Sequence, residues 1–355
     1  YWMLKSLSNI KLLCLFHIFL LAGFSGLPLL AQVVEVPELS PSPMIYHSLV
    51  HHTKAKRILL FGGNSKHSWG PDRSEVWQYD PNDELWMKTG MYEAISDSVV
   101  NAHSPAYDQE SDRIIVFNSI GETWAFNFSI NSWENMKPSI APSPRCGQNM
   151  VYDTESDLMV LFGGFGCTSI NDPILNDTWT YDYNSNGWQE MKPEQSPFNR
   201  MYATMVYNSK EGNILLWGGR LIESLDDRSL WKYSLKTNTW TQITNTGGPD
   251  FTYAYPSMVY NPKRNELILF GGGKLTEAFA GTLTNELWKF DIYESKWRKL
   301  SSENAPPPVY LHSMLLLEDQ NQVILFGGEI EKMYSNILLP GTWKLDLNNY
   351  EWGKK

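Results

Sequence analysis

MVYDTESDLMVLFGG (150–164) and DTWTYDYNSNGW (177–188) hold the pattern that decides the fold. MVYD and LMVLF are short apolar runs joined by the polar turn DTESD (153–157). The second run, with its β-branched and aromatic companions, is too short for a buried helix and reads as a strand covered on both faces. Gly163-Gly164 then gives the backbone freedom that residues with a Cβ lack. TWTYD alternates, YNSN (183–186) turns, and Trp188 opens a fourth strand. The unit is a four-stranded antiparallel meander, with strands designated a to d.

The same pattern recurs along the chain. The strand b runs are RILLFGG (57–63), RIIVFNS (113–119), LMVLFGG (158–164), NILLWGG (213–219), ELILFGG (266–272) and QVILFGG (322–328). Only the second lacks the diglycine, carrying Asn118-Ser119 instead. Strand a is legible in five repeats, as YHSLV (46–50), MVYD (150–153), MVYN (205–208), MVYN (258–261) and HSMLLL (312–317). Six tryptophan pairs, each nine residues apart, mark strands c and d: Trp77/Trp86, Trp124/Trp133, Trp179/Trp188, Trp231/Trp240, Trp288/Trp297 and Trp343/Trp352. Twelve of the 15 tryptophans fall on this grid, so they are not scattered surface residues. A repeat of roughly 50 residues means small sheets that bury their faces only against their neighbours. One such sheet alone leaves both faces wet, and radial packing around a channel removes the problem.

The diglycine after strand b, the aromatic or Trp in strand c and the Trp in strand d resemble kelch repeats, from about Met44 to Trp352. They are similar to the central domain of galactose oxidase. WD-type repeats would be shorter and would end in Trp-Asp. The resemblance implies an all-β, six-bladed kelch-type β-propeller with four antiparallel strands per blade. The repeats lie at about 44–90, 100–137, 145–192, 200–243, 253–300 and 310–352. A seventh blade in a truncated chain, or an edge strand from Gln32 to Glu38, is the alternative arrangement.

Lys5 and Lys11 precede the apolar stretch LLCLFHIFLLA (12–22), followed by GFSGLPLLAQ (23–32). That order predicts a secretory signal peptide over 1–31, starting at Met3 and cleaved near Ala31, and then a linker over 32–43. An uncleaved membrane anchor is the alternative, although the apolar core is shorter than a ~20-residue span. The expected location is secreted or extracytoplasmic. The net charge of −10 becomes −12 without the leader, which leaves no electrostatic footprint for nucleic acid. Outside the leader only Cys146 and Cys167 remain, a disulfide candidate in an exported protein or else two buried thiols. Within a kelch blade they would stand at the same end of strands a and b. Asn127-Phe-Ser and Asn176-Asp-Thr are glycosylation sequons in a eukaryotic host.

In such a meander the a–b and c–d turns emerge on one face, the b–c and d–a connections on the other. The b–c segments are long and dissimilar, except for Ile120 to Thr123 in the second repeat. Variable loops on a rigid scaffold are where function is usually carried. The residues best placed there are His47, His103, Arg145, Arg200, Tyr202, Tyr253, Tyr255 and His312, with Asn64, Phe165, Arg220 and Glu329 after strand b. In peptide-binding kelch proteins the matching positions ring the channel mouth. Each residue also has a plain reading as a satisfied polar group at a strand end.

The resemblance allows enzymes as well as binding proteins. Galactose-oxidase-like copper sites take a ligand from a further C-terminal domain, so the likeness is expected to stop at the scaffold. His51 and His52, placed in the first a–b turn, point apart and make a poor ligand pair. Glu93, Asp97 and Asn101 depart from the Glu-x-x-x-Asp-x-x-x-His motif of iron-dependent kelch specifier proteins. Gly-Lys phosphate loops, HExxH and Gly-x-Ser-x-Gly are absent. The expectation is a monomeric, non-catalytic module without cofactor or metal that binds a protein or carbohydrate. A carbohydrate-active oxidase or epimerase is the alternative.

Overall fold

The computed structural model describes residues 40–64, 75–91, 105–167, 172–220, 227–274, 282–331 and 335–355. The leader, the Gln32 to Glu38 segment, the Glu93 to Asn101 motif and His103 lie outside the described residues. Within them the regular structure is all strand, and no helix is long and apolar enough to cross a membrane.

Six four-stranded antiparallel sheets occur among the described residues, each in the order a-b-c-d. Sheet 1 uses Ile45–His52, Arg57–Asn64, Glu75–Asp80 and Leu85–Met91; sheet 2 uses Ala106–Asp108, Arg113–Phe117, Thr123–Asn127 and Ser132–Asn135. Sheet 3 uses Asn149–Asp153, Leu158–Phe165, Ile174–Asp182 and Gly187–Met191; sheet 4 uses Thr204–Asn208, Asn213–Trp217, Leu230–Ser234 and Thr239–Ile243. Sheet 5 uses Ser257–Asn261, Glu266–Phe270, Leu287–Asp291 and Lys296–Leu300; sheet 6 uses Ser313–Leu317, Gln322–Phe326, Thr342–Asp346 and Glu351–Lys354. Strand a of the second repeat, which escaped the sequence pattern, is only three residues long. Two further ribbons pair Tyr253–Ala254 with Gly273–Lys274 and Val309–Tyr310 with Glu329–Ile330. His51 and His52 correct the sequence reading: they end strand a, and the turn is Thr53 to Lys56.

Burial follows the position of each strand. Strand b is buried along its whole length in sheets 4 and 5, whereas strand d of sheet 4 buries only Trp240. The apolar clusters straddle neighbouring sheets in order. One joins Leu59 to Ile114, another Phe117 to Leu161, and the next Phe162 to Leu216. Two more join Leu215 to Leu269 and Phe270 to Leu325. The sixth brings Leu60 of the first repeat against Phe326 of the last. At about 1.5–3 kcal/mol for each fully buried large apolar side chain, these shared faces are what hold the sheets together.

The strand d tryptophans serve the same joints. Tyr79/Trp86, Tyr181/Trp188 and Tyr233/Trp240 are cross-strand partners with ring centroids 4.9–5.0 Å apart. Each indole N–H then crosses to the neighbouring sheet. Trp86 donates to Thr342 Oγ1 (2.9 Å), Trp188 to Thr123 Oγ1 (2.8 Å) and Trp240 to Thr178 Oγ1 (3.0 Å).

The diglycines make a second set of joints. Both glycines have positive φ, for example 66° at Gly271 and 97° at Gly272. The Gly164 N–H donates to the Arg200 carbonyl (2.9 Å), Gly219 to Tyr253 (3.0 Å), Gly272 to Val309 (2.8 Å) and Gly328 to Met44 (2.8 Å). Each bond runs from one repeat to the next, and the last returns to the first. Between the second and third repeats, the Gln148 side chain of the third donates to the Phe117 carbonyl of the second (3.0 Å).

A Cβ on Gly271 would stand 2.6 Å from the His312 ring and 2.7 Å from the Val309 carbonyl oxygen. Gly271→Ala is therefore expected to destabilise the fold by at least about 2 kcal/mol in urea denaturation. Gly353→Ala, where an added Cβ meets nothing within 4 Å, is expected to stay within about 0.5 kcal/mol of the parent.

Candidate functional site

Where strand a begins, the same repeat position takes up left-handed backbone five times. φ is 57° at Tyr46, 63° at Gly147, 58° at Tyr202, 58° at Tyr255 and 56° at Leu311. Residues with side chains as large as Tyr and Leu rarely adopt that region, which costs of order 1 kcal/mol at each of those four positions; Gly147 adopts it freely. The backbones touch: Tyr202 N–H donates to the Gly147 carbonyl (2.9 Å) and Tyr255 N–H to the Tyr202 carbonyl (3.0 Å). The turn swings these residues around a cavity of about 150 Å³, whose lining includes Tyr46, His47, Gln148, Tyr202, Tyr255 and His312. The Tyr202 and Tyr255 rings stack at 4.1 Å, Tyr310 meets Tyr255 edge-on at 5.6 Å, and Phe165 meets Tyr202 at 5.7 Å. Gly147 makes room for this cluster, since a Cβ there would lie 2.7 Å from the Tyr202 ring.

The cluster unites Tyr202, Tyr255 and His312 from the sequence expectation and adds Tyr46, Gln148 and Leu311. Alignment of the repeats on strand a would have found the additions. Other expected residues are engaged in the scaffold. Arg145 and Arg200 are each only 1% exposed. Arg145 makes a bidentate pair with Asp177 (2.6 and 2.9 Å) and also donates to the Gly163 carbonyl (3.1 Å). Arg200 pairs with Asp227 (2.5 Å) and donates to the Gly218 carbonyl (3.0 Å). Tyr253 donates to Glu286 (2.7 Å), the carboxylate that also accepts from Trp288 Nε1 (2.9 Å). Glu329 is fully buried and accepts from Tyr310 Oη, the Asn336 N–H and Ser335 Oγ, which folds its own b–c loop. Arg220 is half-buried in a backbone bridge with Met201.

His47 and His312 line the cavity but are 6% and 7% exposed. Burial pushes His47 down to about 4 and His312 down to about 3. Both are neutral at pH 7. They occupy the repeat position of Gln148 and rest edge-on against Phe326 and Phe270, which end strand b in sheets 6 and 5. At the opposite face, a cavity of about 470 Å³ is lined by residues of the short turns, including Lys56, Tyr260 and Asp319. An open cleft of about 600 Å³ on strand d of sheet 4 includes Gln242 and Asn245. Both are larger, and the first also gathers one repeat position, with His51, Tyr207, Tyr260 and Leu316 near the far end of strand a; only the mouth adds a stacked tyrosine cluster and the variable loops. Among the described residues no group of three or more His, Cys, Asp or Glu side chains could hold a metal ion.

The loops around the mouth are apolar at their tips. Ile140, Phe198 and Phe251 on d–a connections are exposed, as are Ile120 and Ile337 on b–c connections. Phe198 is 58% exposed. Cys146 and Cys167 on this side form a disulfide, with Cα atoms 5.7 Å apart.

Meanders of this order, joined by diglycines and paired tryptophans, define a kelch-like β-propeller. The family model described as the Attractin/LZTR1 beta-propeller matches residues 116–350, and the chain belongs to that family. Among relatives, mouse "Multiple epidermal growth factor-like domains protein 8" is 26% identical over 239 residues, covering 64% of this chain and 8% of that protein. The human protein of that name is 23% identical over 229 residues (61% and 8%), and the rat protein 24% over 230 residues (61% and 8%). The chain thus spans a small fraction of the length of these relatives.

Two predictions separate scaffold from surface. Arg200→Met should strand Asp227 without its cation and cost about 3–5 kcal/mol of stability in urea denaturation. For the histidines, both folded values lie below the ordinary 6.5, so the unfolded chain protonates first as the pH falls. Stability attributable to them is complete above about pH 6.5 and declines towards pH 3–4, by up to about 1.4 kcal/mol per pH unit for each. His47→Gln and His312→Gln, copying Gln148, should flatten the pH dependence of the unfolding midpoint between pH 6.5 and 4.

Proposed function

We propose that this chain is a six-bladed kelch-like propeller that works outside the cytoplasm and binds a protein partner through the b–c/d–a face, without catalysis. The observation that carries the reading is the set of exposed Ile and Phe tips around the tyrosine-lined mouth. Leu85, Met87, Ile130 and Tyr293 are exposed as well, on strand d or c–d turns; what favours the mouth side is that its tips accompany a tyrosine-lined cavity, since aromatic anchors dominate binding energy at interaction surfaces. Six blades are supported by the six sheets among the described residues and by the bond that returns from Gly328 to Met44.

The size of the cavity weighs against a small-molecule enzyme. About 150 Å³ at the mouth is below the ~300–1,000 Å³ usual for small-molecule sites. The two histidines nearest it are neutral and packed against the scaffold. An extracytoplasmic setting is supported by the disulfide and by relatives named for epidermal growth factor-like domains, a disulfide-dense class of module.

The test is a binding screen of the full chain against extracellular proteins and a glycan array. Phe198→Ala combined with Phe251→Ala should weaken protein binding at least tenfold, a loss of about 1.4 kcal/mol or more. Tyr293→Ala, on the opposite c–d turn, should leave it unchanged. Binding that survives the double substitution, or is lost only with Tyr293→Ala, would sink the reading. Binding confined to glycans would replace the protein partner with a sugar.

A further inference from the structure

The two glycosylation sequons look alike in sequence, and the fold treats them oppositely. Asn176-Asp177-Thr178 lies inside strand c of sheet 3. Its Asn176 Nδ2, the atom that would take the sugar, donates to the Pro197 carbonyl (3.3 Å). Asp177 is held by Arg145 and by Trp179 Nε1 (2.7 Å). Thr178 is fully buried, and its hydroxyl oxygen accepts from Trp240 Nε1 of the next sheet (3.0 Å). All three residues of this sequon are therefore built into joints of the scaffold.

Asn127-Phe128-Ser129 begins at the last residue of strand c in sheet 2 and runs into the c–d turn. Ser129 is exposed. Asn127 Oδ1 accepts from both the Ser129 N–H (3.0 Å) and the Ser129 hydroxyl (2.7 Å). The hydroxyl that the sequon requires is thus already turned onto the asparagine amide. Nδ2 makes no hydrogen bond among the described residues. Phe128 packs on His52 with ring centroids 4.3 Å apart, which anchors the turn without covering its tip.

We infer that Asn127 is the site of an N-linked glycan and that Asn176 is not. The co-substrate class is a polyprenyl-diphosphate-linked oligosaccharide. A bond forms from Asn127 Nδ2 to the anomeric carbon, the carbon–oxygen bond to the diphosphate breaks, and the Nδ2 proton leaves with the released diphosphate. The inference rests on the extracytoplasmic reading, in a eukaryotic host. It also bears on the binding face, because a glycan on a c–d turn lies on the side away from the tyrosine mouth and leaves that side open.

The experiment is secretion of the full chain from cultured animal cells, followed by peptide mass mapping with and without N-glycosidase. The Cys146–Cys167 disulfide is mapped in the same samples. The expected result is a glycan on the Asn127 peptide, lost completely in Asn127→Gln and retained in Asn176→Gln. A secreted, disulfide-bonded chain with an unmodified Asn127 would overturn the assignment while leaving the export reading intact. So would a glycan on Asn176. A retained chain with free thiols would overturn the export reading and the assignment with it. Ser129→Ala gives a second check, since it removes the hydroxyl and keeps the asparagine; it should also abolish the glycan.

Discussion

The structure depends on one backbone contact, the hydrogen bond from the second glycine of the diglycine to the carbonyl that leads into the next repeat, made by Gly164, Gly219, Gly272 and Gly328. Strand b is a fully buried strand, and where it ends its backbone must find a partner outside its own sheet. The two positive φ values turn the chain so that an N–H faces the neighbour, and the missing side chains let that neighbour come within bonding distance. Apolar burial between sheets would tolerate sliding; a backbone bond at these four joints fixes the register. Across the second joint a bond runs the other way, from the Gln148 side chain of the third repeat to the Phe117 carbonyl at the end of strand b.

Much of this was legible in the sequence. The tryptophan spacing, the diglycines and the turn residues place strands b, c and d close to their observed positions, because each reports a local requirement of a strand or a hairpin. The Cys146–Cys167 pair followed from the same alignment of strand ends. Strand a of the second repeat did not, because Ala106–Asp108 is too short to show a period. The placement of His51 and His52 went astray by two residues, since a polar strand end looks like a turn.

The channel mouth was harder to read because sequence type does not reveal which way a charge is turned. Arg145 and Arg200 look like ligand-seeking cations at the rim. In the fold their guanidinium groups are buried against Asp177 and Asp227, and each also takes the carbonyl of the first glycine in its own diglycine. The acid is local to strand c, yet it lies 27 to 32 residues away from its arginine, so proximity in sequence gives no hint of the pair. Tyr202 and Tyr255 were named from the sequence, whereas Tyr46 and Leu311 would have emerged only from aligning the repeats at the start of strand a, where the turn demands left-handed backbone whatever the side chain.

This division of labour locates specificity. The recurring residues are committed to joints: indole to threonine in three repeats, glycine to carbonyl in four, arginine to carboxylate in two. A residue already bonded to the scaffold has little left with which to select a partner, and altering it changes stability before affinity. On the proposed reading, selection falls to positions where the repeats disagree, namely the exposed apolar tips at Ile140, Phe198, Phe251 and Ile337 and the short connection at Ile120. The bulky residues at the mouth stand between these groups. Their backbone strain is set by the fold, while their rings are free to differ from repeat to repeat, as Gly147 beside Tyr202 already shows. A partner that reads this face meets asymmetry laid over a regular frame, and the frame gives it the rigidity that makes such a surface selective.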